Sequence, residues 1–328
     1  MRKVISIFAV LAVVAVLGTM VACGGGGASS ESVNYTGENT PAILDTTGSV
    51  QLAREAVLDT MEGESLVDPD MFPLALASSD ALDRFLDPDV AAGILINALT
   101  GEPAASPMVV QAEPLGYRCI SGSESGFEGV GSVRGRICGD YNEAEETFDS
   151  VDYLEGTFIN YSDDGVEYFQ GTMIIDLRSG DLRMIMRDFS FDDGIDELFL
   201  DGIVSFTESG AVTSVRFNMF ILFNDEGVWF NDLVLAEEDL VTYITSSING
   251  RIYDFVDGYI DFVTIEELVT NDGDFYPSEG IIKLTGANGV SITLEVVDET
   301  GFMVYVDLDG DGSSDWQTSS PQPWAVGG

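Results

Sequence analysis

The feature that most constrains the fold is a long series of short apolar runs, each separated from the next by turn residues. From about residue 117 onward, segments rich in Val, Ile, Phe, Tyr and Thr alternate with Gly and Asp, as in 156–161, 171–177, 182–191 and 212–223. Short β-rich runs between such turn residues are typical of antiparallel hairpins. We therefore predict a mainly β protein, with a large curved antiparallel meander sheet, open or a half-barrel, over residues 113–328.

A weak internal repeat lies within this predicted sheet. Leu154-Glu155-Gly156, Leu200-Asp201-Gly202 and Ile248-Asn249-Gly250 recur at spacings of 46 and 48 residues, and the segment 187–191 is echoed by 231–235. We interpret these as imperfect copies of a roughly three-stranded unit of about 46 residues. Any meander also repeats apolar and turn residues by chance, and the sequence leaves that explanation open.

The preceding segment, residues 47–112, has a helical character instead. Ser49 is a plausible N-cap, and Leu52, Ala56, Val57 and Met61 fall on one side of the helix that would follow it. Further helices are predicted over residues 79–86 and 87–101. A sheet of this size needs its apolar face covered, so we expect this N-terminal helical segment to pack on the sheet.

The N-terminal residues 1–22 have the pattern of an export signal. Arg2 and Lys3 precede an apolar run over 4–17, and a small residue follows near position 22. Residues 4–22 are also long enough to span a bilayer as an uncleaved anchor. Met20-Val21-Ala22-Cys23 resembles the lipobox of bacterial lipoproteins, with Met where Leu is usual. That resemblance implies cleavage before Cys23, lipidation of Cys23 and attachment to the membrane, with residues 23–46 as a flexible Gly/Ser/Thr-rich tether.

The composition excludes several classes of function. The chain has a formal net charge of −44 and only two lysines, so its surface repels the phosphates of nucleic acids, and no nucleic-acid partner is expected. It contains no histidine, which removes the commonest general base and the usual nucleophile–histidine arrangements. Neighbouring acids such as Asp192-Asp193 lie beside turns. We therefore predict no catalytic residues and no enzyme; an acidic-residue hydrolase is the weakest hypothesis.

Two cysteines remain once Cys23 is assigned to the lipid. Cys119 and Cys138 form an even pair in an exported protein, which predicts a disulfide. Two reactive thiols are the alternative. A crosslink closing a loop of this length would stabilise the fold by about 3 kcal/mol in the chain-entropy model.

The segment 306–316, VDLDGDGSSDW, is the best candidate for binding chemistry. Asp307, Asp309, Asp311 and Asp315 occupy positions one, three, five and nine of a calcium loop, and a glycine stands at position six. Thr318 replaces the bidentate glutamate of position twelve, and a predicted strand precedes the loop. These four aspartates are therefore candidate calcium ligands, and calcium is the one cofactor expected. An acidic turn that closes the last hairpin would use the same residues.

Several segments together suggest a family. Cys23 with its glycine-rich tether, the segments 276–280 (YPSEG) and 284–289 (LTGANG), and the closing 306–312 resemble uncharacterised outer-membrane lipoproteins of Gram-negative bacteria. The resemblance implies a lipid-anchored protein of the cell envelope, in the outer membrane and facing either leaflet, and it implies no activity. The leading hypothesis is a non-enzymatic binding or scaffold module with an unknown protein partner. A half-barrel carrier of apolar ligands or lipids is the second hypothesis.

Overall fold

The computed structural model describes residues 33, 35–61, 109–112, 116–142, 147–162, 165–195, 197–224 and 226–324. This part of the chain forms one α-helix, α1, and a series of strands. The helix is Ser49–Met61. The strands β1 to β16, in chain order, are Val109–Ala112, Tyr117–Ser125, Ser132–Asn142, Thr147–Tyr161, Tyr168–Asp176, Leu182–Asp192, Glu197–Ser209, Val212–Phe223, Glu226–Leu240, Tyr243–Asp254, Gly258–Asn271, Glu279–Thr285, Ser291–Asp298, Gly301–Asp307, Trp316–Gln317 and Gln322–Pro323.

The strands follow one another in the sheet in the order of the sequence. From β1 to β15 each strand pairs with the next, and the short β16 pairs with β14. The pairings are antiparallel hairpins, as in β2–β3 and β10–β11. Because β1 and β15 end this order, the sheet is open. The predicted fold class, an open antiparallel meander with a helix packed on it, is confirmed.

The helix α1 begins at Ser49, which is its first helical residue and not its predicted N-cap. Gly48 takes the N-cap position, and the hydroxyl of Ser49 donates to Thr46 O at 3.1 Å. The backbone N–H of Leu52 donates to Gly48 O at 2.9 Å, which closes the first turn, and Ser49 is buried at its start. The helix buries Ala53, Ala56 and Val57 and contacts β10, β12, β13 and β14. Ala56 and Val57 were predicted for this face; Ala53 was not. The helices predicted over 79–86 and 87–101 lie outside the described residues, and β1 falls in the last four residues of the predicted helical segment 47–112.

The contacts divide the chain into two compact units. Unit 1 comprises Met1–Val33, Ser79–Ser205 and Ile221–Asn224, and unit 2 comprises Asn34–Ser78, Phe206–Phe220 and Asp225–Gly328. In a meander each strand contacts mainly the strands next to it in the sequence. Each compact unit therefore contains a run of neighbouring strands. The division accordingly falls within the β7–β8 hairpin.

Each unit has its own buried core. In unit 1, the consecutive residues Met184, Ile185 and Met186 are all buried. Since successive strand residues point to opposite faces, both faces of the sheet are covered there. In unit 2, alternate residues of β12 to β14 are buried on one face; they include Ile282, Leu284, Ile292, Leu294, Val304 and Val306. This is an ordinary half-buried sheet, with α1 packed on these strands.

Two β-bulges recur at matching places in the repeated segments. Asp188 on β6 and Asp232 on β9 both adopt the left-handed conformation, with φ of +45° and +50°. Each lies against a glycine of the neighbouring strand, Gly171 and Gly250, where the pairing register shifts. A Cβ at Gly250 would lie 2.6 Å from Asp232 O, so glycine is required for this close approach. The echo between 187–191 and 231–235 therefore corresponds to a shared backbone feature.

The predicted disulfide is present. Cys119 and Cys138 are directly opposite each other on β2 and β3, with their Cα atoms 4.1 Å apart and the sulfur atoms bonded. Both residues are buried. The bridge therefore fastens the second and third strands near one edge of the sheet.

Residues 35–44, which we call the strap, belong to unit 2 and pack on its strands. Ala42 N–H donates to Tyr259 O at 2.8 Å, and Glu38 N–H donates to Phe255 O at 3.0 Å. The side chain of Tyr35 packs against Phe220, Trp229, Tyr253 and Phe255 at centroid distances of 5.3 to 6.2 Å. The strap lies in the second half of the segment 23–46, which was predicted to be a flexible tether. Residues 35–44 are therefore packed on the sheet and are not part of a free linker.

Candidate cation site

The candidate site is the loop that joins β14 to β15. Asp307 ends β14, and Trp316 begins β15, which pairs with Val306. Asp315 N–H donates to Val306 O at 2.9 Å, so the two ends of the loop are held side by side. The pairing therefore places Asp315 next to Asp307, although eight positions separate them in the sequence.

The carboxylate of Asp307 organises the loop from its buried end. Its Oδ1 accepts the backbone N–H of Gly310 at 2.7 Å, and its Oδ2 accepts that of Gly312 at 2.8 Å. Burial on its own would raise the pKa of the Asp307 carboxyl, but hydrogen bonds from backbone amides, chiefly of Gly312 and Gly310, hold it below its usual range. Asp307 is therefore ionised over a wide range of pH, and each oxygen keeps a lone pair for a cation.

Three of the four predicted ligands come together. One carboxylate oxygen from each of Asp307, Asp309 and Asp315 lies within 4.8 Å of the other two. Oxygens bound to one calcium ion at 2.3–2.6 Å are separated by at most about 5 Å, so this spacing fits a shared ion. Asp311 is not in the group; its Oδ1 accepts the N–H of Ser313 at 2.7 Å.

The residue at position twelve of the calcium-loop pattern does not face the carboxylates. Thr318 is buried, and its Oγ1 accepts the N–H of Val304 at 3.2 Å. Thr318 N–H in turn donates to Val304 O at 3.0 Å. Thr318 therefore serves the β14 pairing, and the loop differs in this respect from the helix-loop-helix calcium sites that use a glutamate there.

A neighbouring turn supports the loop, and sequence reasoning assigned it no part in the site. Gly310, with φ of +75°, lies so close to the β12–β13 turn that a Cβ there would be 2.8 Å from Asn288 O. Gly289 of the same turn also contacts Gly310. The segment 284–289 was singled out in the sequence only as part of a resemblance; its repeated glycines were the available signal for this close packing.

The arrangement suits a hard divalent cation. Three convergent carboxylates supply oxygen ligands of the kind that calcium prefers, and water or backbone carbonyls complete a shell of six to eight. Asp309 and Asp315 are exposed, and Asp307 is buried. An exposed, half-protein shell of this kind is typical of low-affinity sites, with dissociation constants of about 0.1–1 mM in extracellular modules.

Acidic pairs elsewhere have structural contacts of their own. At the β6–β7 turn, Asp192 accepts the N–H of Gly194 at 2.7 Å, and Asp193 accepts that of Ile195 at 2.9 Å. These are the contacts of Asx-turns, which Asp residues form commonly. Both carboxylates therefore contribute to the local backbone geometry.

Comparison with known proteins adds no functional information. No protein-family model matches the chain, and neither a curated protein nor a solved structure is significantly similar to it. Within the ranges described above, no helix is both long and apolar enough to cross a membrane.

Proposed function

We propose that this chain is a lipid-anchored protein of the cell envelope that acts as a non-enzymatic binding or scaffold module, with calcium bound at the loop 307–315. The observation that carries the calcium assignment is the convergence of the Asp307, Asp309 and Asp315 carboxylates. The proposed anchor is the lipid on Cys23, and the proposed location is the outer membrane. The anchor follows from the resemblance of residues 20–23 to a lipobox, and the location follows from the resemblance of the chain to outer-membrane lipoproteins.

The packing of unit 1 supports a scaffold over a carrier of apolar ligands. Phe158, Phe169, Phe189 and Phe191 are buried, and their rings contact one another at centroid distances of 5.4 to 6.4 Å. A carrier needs such side chains to line an open cavity that a ligand fills. Here the four rings pack against one another.

Thermal unfolding tests the calcium assignment. The full chain, purified with its lipid in detergent, is melted in about 10 mM calcium chloride, in the same concentration of magnesium chloride, and in chelator. With a dissociation constant of about 1 mM, calcium should stabilise the fold by about 1.4 kcal/mol, or about 3–6 °C. Equal shifts with magnesium and calcium would mean that ionic strength alone acts on this acidic chain.

Two aspartates of the same loop provide a matched pair of variants. Asp309→Asn removes a member of the three-carboxylate group and should abolish the calcium-specific shift. Asp311→Asn removes the same charge from a residue of the loop that is outside that group, and it should leave most of the shift in place. Loss of the shift in both variants would indicate general electrostatics and would remove the support for a specific site. The mass of the purified protein reports independently on the lipid at Cys23.

A further inference from the structure

The strap occupies a groove of unit 2 in the way that an extended peptide occupies a binding site. Its backbone pairs with the beginning of β11: Tyr259 N–H donates to Thr40 O at 2.9 Å, and Ala42 N–H donates to Tyr259 O at 2.8 Å. Further along, Ala42 O accepts the N–H of Ala287 at 2.7 Å. Main-chain hydrogen bonds of this kind are those by which proteins bind an added peptide strand.

Two glycines shape the groove for a polypeptide backbone. A Cβ at Gly258 would be in steric conflict with Thr40 O, and a Cβ at Gly286 would be in conflict with Ala42 O and the side chain of Leu44. Gly286 has φ of −115°, which any residue adopts, so its own backbone conformation does not require glycine. The close approach of the strap does. The groove therefore fits an extended main chain.

One end of the groove is an aromatic pocket into which Tyr35 packs. Its walls are the rings of Phe220, Trp229, Tyr253 and Phe255. Trp229 and Tyr253 are held in place by stacking on each other at 4.5 Å, and Trp229 Nε1–H donates to Asn218 Oδ1 at 3.1 Å. The hydroxyl of Tyr35 lies 2.7 Å from Asp254 O. The pocket therefore fits both the ring and the polar group of a tyrosine.

Few side chains hold the strap in this groove. Tyr35 is half-buried, and Ala42 and Leu44 are buried, whereas residues 36, 38–40 and 43 are exposed. The strap precedes α1 and is joined to it by residues 45–48, so it can leave the groove without breaking the pairing of β9 to β14. A segment that is held at a few points and is joined to the folded unit by a short hinge is the kind of element that copies of a protein exchange.

We propose that this groove is a binding site for an extended peptide strand that carries a tyrosine. The strap fills it within one chain, and the strap of a second copy is the partner that binds it between chains. The fit identifies this occupant, because a second copy carries the same strand with the same tyrosine. The strap has a single charged residue, Glu38, so its insertion adds little repulsion between two acidic chains. The inference goes beyond the proposed function and needs neither the lipid anchor nor calcium.

Within one chain, the strap has the advantage of its short connection to the groove. A strand on a short tether has an effective concentration on the order of 1 mM. The unsubstituted protein at micromolar concentration therefore keeps its own strap in place. Exchange is revealed when the strap of one copy and the groove of another are weakened separately.

Two single variants of the full chain provide this complementation test. Tyr35→Ala weakens the strap and leaves the groove intact, and Gly286→Ala blocks the groove and leaves the strap intact. An immobilised Tyr35→Ala chain should therefore retain the Gly286→Ala chain, whose free strap enters the intact groove. If Tyr35→Ala weakens the tethered strap on the order of a hundredfold, the apparent dissociation constant is about 10 μM. Retention is measured in chelator, so that calcium plays no part.

The control is a chain that carries both substitutions, since it has a released but defective strap. We expect the immobilised Tyr35→Ala chain to bind the Gly286→Ala chain at least tenfold more tightly than it binds this double variant. Equal binding of the two, or no binding of either, overturns the inference.

Circular dichroism first shows whether Gly286→Ala keeps the sheet. If it does not, the Tyr35→Ala chain is titrated with a labelled synthetic peptide of residues 33–45. Binding at least tenfold tighter than to the unsubstituted chain, and lost when the tyrosine of the peptide is replaced by alanine, supports the inference. Equal binding to both chains, or binding that does not depend on the tyrosine, overturns it, and so does the absence of binding.

Discussion

Replacement of Tyr35 tests whether the strap is an integral part of unit 2. The ring of Tyr35 is half-buried among four aromatic side chains, and its hydroxyl lies 2.7 Å from Asp254 O and 3.0 Å from Glu38 O. A hydroxyl has one proton, so it donates to one of these carbonyls at a time. Tyr35→Phe therefore removes one hydrogen bond and should destabilise the fold by about 1 kcal/mol.

Tyr35→Ala removes the ring as well. Truncation of a fully buried aromatic side chain costs about 3–5 kcal/mol, and a half-buried ring should cost about half of that, or about 2 kcal/mol. With the hydrogen bond the total is about 3 kcal/mol, which corresponds to a fall of about 6–12 °C in the unfolding temperature of a unit of this size. Thermal unfolding followed by circular dichroism measures both variants.

A distant exposed aromatic residue is the control for this series. Phe275 is 89 % exposed in the β11–β12 turn, so Phe275→Ala should change stability by less than about 0.5 kcal/mol. The reasoning fails if Tyr35→Ala and Phe275→Ala behave alike. That result would mean that the strap detaches before the sheet unfolds, so that its contacts add nothing to the free energy of global unfolding.

Three further outcomes are expected from the structure. Replacing Cys119 and Cys138 together by alanine should lower the free energy of unfolding by about 3 kcal/mol, measured by urea denaturation; a change below 1 kcal/mol would contradict the loop-closure argument. Because hydrogen bonds hold the pKa of Asp307 below its usual range, its contribution to stability should be fully present above about pH 4 and lost as the pH falls through its lowered folded value. Asp307→Asn should therefore flatten the unfolding temperature against pH in that acidic range, and an unchanged profile would refute the assignment. Gly286→Ala places a Cβ in steric conflict with Ala42 O, so it should release the strap and speed proteolysis within residues 35–44, with unaltered cleavage as the contrary result.

The sequence predicted the features that depend on local chemistry. The start of α1 near Ser49 was predicted from a helical apolar pattern that is readable within a few positions, although Gly48 and not Ser49 takes the N-cap position. Hairpin turns at Gly180, Gly210 and Gly258 all adopt positive φ, as their turn residues indicate. The disulfide was predicted from the two cysteines that remain once Cys23 is assigned to the predicted lipid anchor. Each of these needs no knowledge of distant contacts.

The strap could not be predicted in the same way. Residues 35–44 have no apolar periodicity, and Tyr35 is an isolated aromatic residue in a polar segment. Its partners, from Phe220 to Phe255, lie about 200 positions later, and the pairing of the strands brings them next to it. A sequence read in local windows therefore shows a linker where the fold has a docked segment.

The candidate cation site shows why acidic turns are ambiguous in a chain with 57 acidic residues. Asp193, Asp298 and Asp311 each accept a backbone N–H two residues further on, so an Asp at a turn already has a sufficient structural reason to be there. The spacing of the aspartates in the loop 307–315 is compatible both with such turns and with calcium binding. The pairing of β14 with β15 folds Asp315 back beside Asp307, where the Asp315 carboxylate also accepts the N–H of Leu308 at 2.8 Å. Convergence of carboxylates across a strand pairing is a tertiary property, and it distinguishes this loop from the other acidic turns named here.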